Sequence, residues 1–216
     1  MDILLFVLGY YVHFFASLLL MYKINKQKSI FGLSVDTQII FFLASLSRCV
    51  WVLDTRLVET VFAYIELCVS TVVAVVLCYL CHKFYFTTTT HARMELRFYI
   101  LIPIALALAF LFHPGDAWVS MQVLVAFTMY AECLALIPQL YLMRHMHEVE
   151  PLTSHYVGLL IIARAVRMVF WGVLFWMGEH FFQLFFADLL HTILTVDYMY
   201  LWCKKLRVGG QLVYNM

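Results

Sequence analysis

The chain has 216 residues, of which 65% are hydrophobic, 17% aromatic and only 12% charged, and its formal net charge is +1. Soluble domains carry about twice that proportion of charged residues, so the composition excludes an ordinary water-soluble protein. The near-zero net charge gives no reason to expect a nucleic-acid partner.

Seven apolar stretches follow one another along the chain, and each has the length of a membrane-crossing helix. A bilayer's hydrocarbon core is crossed by about 20 mostly apolar helical residues. The stretches lie at 2–22, 36–53, 58–80, 96–112, 117–143, 154–176 and 181–203. Because the gaps between them are short, we expect one all-α integral membrane domain over 1–216. The first stretch has no basic region before it and no small-residue cleavage site, so we interpret it as a retained helix.

The basic residues indicate the orientation, since short loops rich in Lys and Arg stay in the cytosol. Ten of the 14 basic residues fall in alternate gaps and in the tail, against Arg56 alone in the opposite gaps. These ten are Lys23, Lys26, Lys28, Lys83, Arg93, Arg97, Arg144, Lys204, Lys205 and Arg207. The pattern predicts a lumenal N-terminus and a cytosolic C-terminus.

One short motif could suggest a cofactor. Cys78-Tyr79-Leu80-Cys81-His82 has the C-x-x-C-H form used for covalent haem attachment. That chemistry belongs to an oxidising external face, whereas this motif lies at the predicted cytosolic end of the third helix. We therefore expect no cofactor and no metal site. Catalytic groups do not recur at a helical spacing, so an enzyme is not expected.

Ionisable residues within the apolar stretches are the most informative feature, because burying each one in a bilayer costs about 2.5–3.5 kcal/mol. Arg48 lies in the second stretch, and Arg164 and Arg167 lie in the sixth. The others are His13, Glu66, Glu132, Asp188, His191 and Asp197.

Two interpretations of the arginines remain open. The spacing places Arg164, Arg167 and Trp171 on one helical face, and guanidinium groups facing a polar cavity suit the capture of carboxylates. Alternatively, each arginine pairs with an internal acid such as Glu66, Glu132 or Asp197 and joins two helices. His13 is either a neutral structural imidazole or a proton-sensitive switch.

A faint internal repeat relates the two halves of the chain. Leu33-Ser34 precedes Arg48 as Leu152-Thr153 precedes Arg167, with 15 residues from Leu to Arg in both. The repeat predicts two parallel three-helix units joined by the fourth helix, with a binding site at their interface. Pro138 in the fifth helix is expected to kink it.

An ordered series of motifs along nearly the whole chain resembles the receptors that retrieve escaped endoplasmic-reticulum (ER) proteins by a C-terminal Lys-Asp-Glu-Leu-like signal. The series comprises Gly32-Leu33-Ser34, Thr37-Gln38, Ser47-Arg48, Tyr130, Glu132, Ala135-Leu136-Ile137-Pro138-Gln139-Leu140, Thr153-Ser154-His155-Tyr156, Arg164, Trp171, Asp197 and Tyr200-Leu201. The fold that this resemblance implies is the PQ-loop, SWEET-like arrangement of two three-helix repeats.

The resemblance implies a multi-pass receptor of the ER and Golgi membranes. It would bind C-terminal tetrapeptide signals of lumenal ER proteins at acidic pH and return with them in coat-protein (coatomer) vesicles. By the same resemblance, Arg48 takes the signal's terminal carboxylate and Trp171 forms a wall of the peptide site. Arg164 and Glu132 form the polar core with Asp197, and His13 senses pH. Lys204 and Lys205 form the trafficking tail, and membrane lipid is the other expected partner.

Several positions depart from the family pattern. The arginine of the first helix is replaced at Leu5 or Phe6, and the acid that meets the signal's basic residue is Gln122. Ala163 replaces a tyrosine, and Leu174 replaces an arginine, while Arg167 adds one. The tyrosine after Arg48 is Cys49, and Phe170 is a further changed position. An altered signal specificity is therefore expected, with a weaker demand for a basic residue at the signal's first position.

Two other functional classes fit the same sequence. A small-solute transporter would share the architecture and the repeat, and would move a sugar or an amino acid across a membrane. A divergent paralogue with a trafficking role would bind no tetrapeptide.

Overall fold

The computed structural model describes residues 2–53, 61–88, 93–115, 120–146, 148–178, 182–208 and 212–213. These residues form seven α-helices, two 3-10 turns and one pair of very short strands. The helices are α1 (Asp2–Gln27), α2 (Val35–Trp51), α3 (Val61–Lys83), α4 (Phe98–Leu111), α5 (Met121–His145), α6 (Pro151–Trp176) and α7 (Phe182–Val208). The strands β1 (Glu148–Val149) and β2 (Leu212–Val213) pair antiparallel.

Each predicted apolar stretch corresponds to one helix, which confirms an all-helical architecture. Five of the helices, α1, α3, α5, α6 and α7, are long and apolar enough to cross a membrane. Of the other two, α2 has 17 residues and α4 has 14. The lengths and apolar composition of these helices agree with the prediction of an integral membrane protein.

The outer surface of the bundle is apolar, as a membrane protein requires. Along α3, large hydrophobic side chains recur every three or four residues and remain exposed: Val61, Ile65, Val69, Val72 and Tyr79. The same pattern on α7 comprises Phe182, Phe186, Ile193, Val196 and Tyr200. A soluble monomer rarely exposes apolar stripes of this length, whereas lipid solvates them without cost.

The helices pack in a regular order around α5. α1 packs on α6 and α2 packs on α5, and these two interfaces are the most extensive. α3 lies against α1 and α2, while α7 lies against α5 and α6. α4 packs mainly on α5. Of the apolar membrane-length segment of α5, 78% is buried within the bundle, whereas the corresponding segments of α1 and α3 are only 22% buried. α5 is therefore the central helix.

A polar clamp holds the start of α2. Ser34 caps the helix, since its hydroxyl accepts a hydrogen bond from the Thr37 backbone N–H at 3.3 Å. Gln139 reaches across from α5, donating to the Gly32 carbonyl at 2.8 Å and accepting from the Ser34 backbone N–H at 2.7 Å. α5 remains helical through Pro138. The Pro-Gln element of the sequence therefore fixes the α1–α2 turn.

Lys23 marks a clear difference from the sequence prediction, which placed it in a cytosolic gap. α1 continues to Gln27, and Lys23 is only 1% exposed. Its ammonium group lies 2.6 Å from the Glu150 carboxylate and donates to Thr153 Oγ1 and the Phe31 carbonyl, both at 2.8 Å. Burial is tolerated because all three of these acceptors surround the charge.

The C-terminal lysines also lie in a helix, because α7 extends beyond its predicted end at residue 203. Lys204 is exposed in the last turns of α7. The backbone of Lys205 belongs to the same helix, but its side chain lies outside the described ones. The chain then returns to pair β2 with β1 beside the start of α6.

Replacing Lys23 by Met should destabilise the bundle, because Glu150 and Thr153 would lose their shared donor. The loss of a hydrogen-bonded charge is worth about 1.5–3 kcal/mol, and the partial exposure of Glu150 argues against a larger effect. We expect the detergent-solubilised variant to melt several degrees below wild type. Lys26→Met is the matched control, since Lys26 is exposed on the same helix. Equal melting temperatures for the two variants would contradict the structural role of Lys23.

Candidate functional site

The three arginines of the apolar helices come together in the middle of the bundle. Arg48 is 6% exposed, Arg164 5% and Arg167 2%. Arg48 comes from α2, whereas the other two lie on one face of α6, as their spacing of three residues predicted.

Arg164 and Arg167 share two carboxylates. Glu132 of α5 accepts a hydrogen bond from the Arg167 Nη1 at 2.7 Å and forms an ion pair with the Arg164 Nη2 at the same distance. Asp188 of α7 accepts from both at 2.9 Å through its Oδ1. The other oxygen of Asp188 accepts from the Trp171 indole N–H at 2.8 Å. This cluster joins α5, α6 and α7 through charge-assisted hydrogen bonds.

Arg48 forms a separate pair with Glu66 of α3, with 2.6 Å between Nη2 and Oε2. The Ser70 hydroxyl contacts the other Glu66 oxygen. The Arg48 Nε lacks a hydrogen-bond partner within the described part of the chain.

The ring of Tyr10 links the two groups of charges. Its centroid lies 3.6 Å from the Arg48 guanidinium carbon and 5.1 Å from that of Arg167. Such stacking stabilises a desolvated cation through the ring quadrupole. Tyr10 therefore contributes to stabilising both buried guanidinium groups.

Gly9 makes this arrangement possible. A Cβ built at Gly9 would lie 2.8 Å from the Arg167 Cγ and 3.0 Å from the Ala163 carbonyl oxygen. α1 and α6 can approach closely here only because the residue has no side chain. The glycine thereby positions the Arg167 side chain between α1, α5 and α7.

The described charges of this network balance. Three arginines face Glu66, Glu132 and Asp188, and each arginine has at least one acid partner. The interpretation in which internal acids pair with the arginines thus describes the observed contacts. One partner differs from those expected, because Asp188 belongs to the network and Asp197 does not.

A polar cavity lies beside Arg48. Its charged and polar lining comprises Tyr10, His13, Ser17, Gln38, Ser45, Arg48, Glu66, Ser70 and Glu132. Phe14, Phe41, Ala74 and Leu77 complete the wall. Most of the described lining residues are polar, so the cavity suits a ligand with polar or charged groups.

His13 lies in the wall of this cavity, with its ring packed edge-on against Phe41 at 4.8 Å between centroids. The cavity brings His13 and Glu132, which the sequence analysis assigned to the polar core, together with Arg48, which it assigned to ligand binding. Arg164, Arg167 and Trp171 are not among the described residues that line it. They lie in the charged cluster, which reaches the cavity through Glu132.

Gln122 and Asp197 lie apart from the charged cluster. Gln122 is in the first turn of α5, ten residues before Glu132, which corresponds to about 15 Å along a helix. Asp197 is 51% exposed and pairs with the equally exposed Arg144. The grouping of Asp197 with the polar core is therefore wrong in this structure, because its side chain points out of the bundle.

Sequence reasoning overlooked Tyr10 and underestimated Glu66 and Asp188. Tyr10, His13 and Ser17 recur at a spacing of three and four, which places them on one face of α1. The sequence analysis used the spacing of polar residues on one helical face only for α6. The same reasoning applied to α1 would have identified Tyr10. No comparable sequence pattern identifies Glu66 of α3 and Asp188 of α7 as the partners of the arginines, because the spacing within one helix does not determine which helix faces meet.

Comparisons with known proteins agree with this architecture. The family model described as "ER lumen protein retaining receptor" matches residues 29–174. The chain is 31% identical over 204 residues to the ER lumen protein-retaining receptor of Drosophila melanogaster, and the match covers 93% of both chains. It is 30% identical to ER lumen protein-retaining receptor 2 of Homo sapiens, with the same coverage, and 27% identical to receptor 3 of Mus musculus, with 95% of both chains covered. The seven-helix chain with a buried arginine cluster therefore belongs to the ER lumen protein-retaining receptor family.

Proposed function

We propose that the chain is a Golgi-to-ER retrieval receptor that binds the C-terminal signal of escaped ER-resident proteins in its central cavity. The observation that carries the proposal is Arg48, whose buried guanidinium borders the cavity and has an Nε–H without a partner among the described residues. A fixed guanidinium in a desolvated site suits a terminal carboxylate. The names of the relatives, which describe retention of ER lumen proteins, point to the same class of ligand.

We further propose that all seven helices cross the membrane, with a lumenal N-terminus, a cytosolic C-terminus and a single domain over 1–216. Arg48 is three residues from the end of α2, the end that the charge distribution assigns to the lumen. The cavity beside it would then be reached from the lumen, where escaped proteins are. The ER and Golgi membranes are the proposed locations.

The packing pattern supports two parallel three-helix repeats, α1–α3 and α5–α7, joined by α4. Exchanging the two units turns the α1–α6 interface into the α5–α2 interface, and turns the contacts of α3 with α1 and α2 into those of α7 with α5 and α6. Polar contacts follow the same exchange. Gln139 of α5 reaches the start of α2 at Ser34, and Lys23 of α1 reaches the start of α6 at Thr153. The cavity lies mainly within α1–α3, and Glu132 of α5 is the lining residue that the second unit contributes among those described.

The other residues have supporting roles in this proposal. Glu132 lines the cavity and is held by Arg164 and Arg167, so these arginines shape the site from behind. Trp171 holds Asp188 in the cluster. Gln122, near the proposed lumenal end of α5, would lie at the entrance and contact the part of the signal farthest from its terminal carboxylate.

Arg48→Ala should abolish most of the binding of a peptide with a free C-terminal carboxylate. Truncating one partner of a buried charge pair costs about 2–5 kcal/mol of binding. Peptide affinity for the purified protein measures this, with Arg93→Ala as the control because Arg93 is 66% exposed. The amidated peptide tests the same contact without altering the protein. Equal binding of the free and amidated peptides would rule Arg48 out as the carboxylate anchor.

Binding should be tighter at mildly acidic than at neutral pH, with His13 as a main sensor. Tyr10, Arg48, Glu66 and Glu132 line the cavity with His13, and Arg167 and His191 also act on it electrostatically. If the imidazole gains a proton as the ligand's carboxylate enters, acid favours the bound state, by about tenfold per pH unit at most for one proton. Affinities between pH 5 and 7.5 for wild type and His13→Asn check this. A flat wild-type profile excludes pH gating, and an unchanged slope in the variant excludes His13 as the sensor.

We also propose that Lys204 and Lys205 present the chain to the coat-protein machinery on the cytosolic side. Lys204 is exposed at the end of α7, where a cytosolic protein could reach it. Replacing both lysines by Ser should trap the receptor in the Golgi, as measured by its steady-state distribution in cells. Lys26 and Lys28, which are exposed at the same end of the bundle, provide the control double variant. Unchanged cycling of the Lys204/Lys205 variant would leave these residues only the role of anchoring the membrane surface.

A further inference from the structure

Glu66 occupies the place that an incoming carboxylate would need. Its Oε2 lies 2.6 Å from the Arg48 Nη2, and both side chains line the cavity. Glu66 is 3% exposed, so its charge has little access to water. A ligand carboxylate that takes the full donor edge of Arg48 must therefore displace the carboxylate of Glu66.

Displacement would leave Glu66 as a buried anion with few alternatives. Its remaining described contact outside Arg48 is the Ser70 hydroxyl, a single neutral donor. Arg164 and Arg167 are already shared between Glu132 and Asp188. Removing one partner of a buried pair is strongly unfavourable when the other charge stays behind.

The charge balance makes the same point for the whole network. Three arginines and three acids are paired before any ligand arrives, so a ligand with only negative charge adds an uncompensated anion. A ligand that brings a cation along with its carboxylate keeps the site neutral. The Arg48–Glu66 pair is then replaced by two pairs, one between Arg48 and the ligand's carboxylate and one between Glu66 and the ligand's cation. The number of charge-assisted contacts therefore increases.

We propose that Glu66 is a ligand-binding residue that accepts a cationic side chain of the peptide signal once the signal's terminal carboxylate has taken Arg48. In the ligand-free protein the same residue holds Arg48 as an internal competitor. The site then selects peptides that carry a lysine or arginine together with a free C-terminus. This inference rests on the proposed retrieval function and assigns the charge requirement of its ligand.

Glu66 thereby supplies an acid that the sequence analysis considered only as a partner of an arginine. The replacement of an acid by Gln122 predicted a weaker demand for a basic residue in the signal. That prediction took only α5 into account. Glu66 lines the cavity from α3, beside Arg48, and restores the demand through a different helix.

The test is a double-mutant cycle between the peptide and the protein. A panel of tetrapeptides places Lys, or its neutral counterpart Gln, at each of the three positions before the last residue. Affinities for wild type, Glu66→Gln and the control Asp197→Asn are measured at acidic pH. Asp197 is a matched control because it is an acid of α7 that is exposed and remote from the cavity.

We expect wild type to prefer Lys over Gln at one position by about tenfold or more, in line with measured couplings of close charge pairs. Glu66→Gln should lose that preference and bind the neutral peptides more tightly than wild type does, because the competitor for Arg48 is gone. Asp197→Asn should behave like wild type. This combination supports the proposal.

Other outcomes overturn it. Equal binding of Lys and Gln peptides by wild type rejects it without any variant, so it stays testable even if Glu66→Gln does not fold. A preference that survives in Glu66→Gln assigns the cation to another acid. Absence of binding by wild type and Glu66→Gln to every free-carboxylate peptide at any pH overturns the retrieval function itself, whereas binding without Lys preference overturns only the role of Glu66.

Discussion

The requirement that every charge buried in the bundle be paired is the constraint on which this structure depends. An arginine in a bilayer core cannot be left unsatisfied, since lipid offers neither water nor counterion. Arg48, Arg164 and Arg167 are accommodated because Glu66, Glu132 and Asp188 meet them from three other helices. The same contacts that make the arginines tolerable hold α2, α3, α5, α6 and α7 in one arrangement.

This constraint explains several features that would otherwise look unrelated. Gly9 of α1 has no side chain, so the Arg167 side chain of α6 can lie directly against α1. Tyr10 covers two guanidinium groups with one ring. Lys23 repeats the principle at the other end of α1, where Glu150 and Thr153 satisfy a buried ammonium. In each case a polar contact, rather than apolar packing, fixes how two helices meet, as expected where lipid removes the hydrophobic drive between helices.

The pairing also links stability with binding. A site made only of free arginines would be costly to fold, and a site whose arginines are permanently neutralised would not attract a carboxylate. Arg48 lies between these limits, because it has a single acid partner among the described residues and borders the cavity. Arg164 and Arg167 are held from two sides and belong to the frame. In the proposed receptor, binding at Arg48 is an exchange of partners, and its free energy depends on what happens to Glu66.

The sequence by itself determined the membrane class, the seven helices, the family and the presence of three buried arginines. These properties are local, because hydropathy over about 20 residues and the spacing within one helix can be read from the chain alone. Only the tertiary structure decided which acid meets which arginine, that Asp197 points outward to Arg144, that Lys23 is buried, and that Tyr10 completes the network. These facts depend on which helix faces meet and how closely the helices approach. No periodicity within a single helix encodes them.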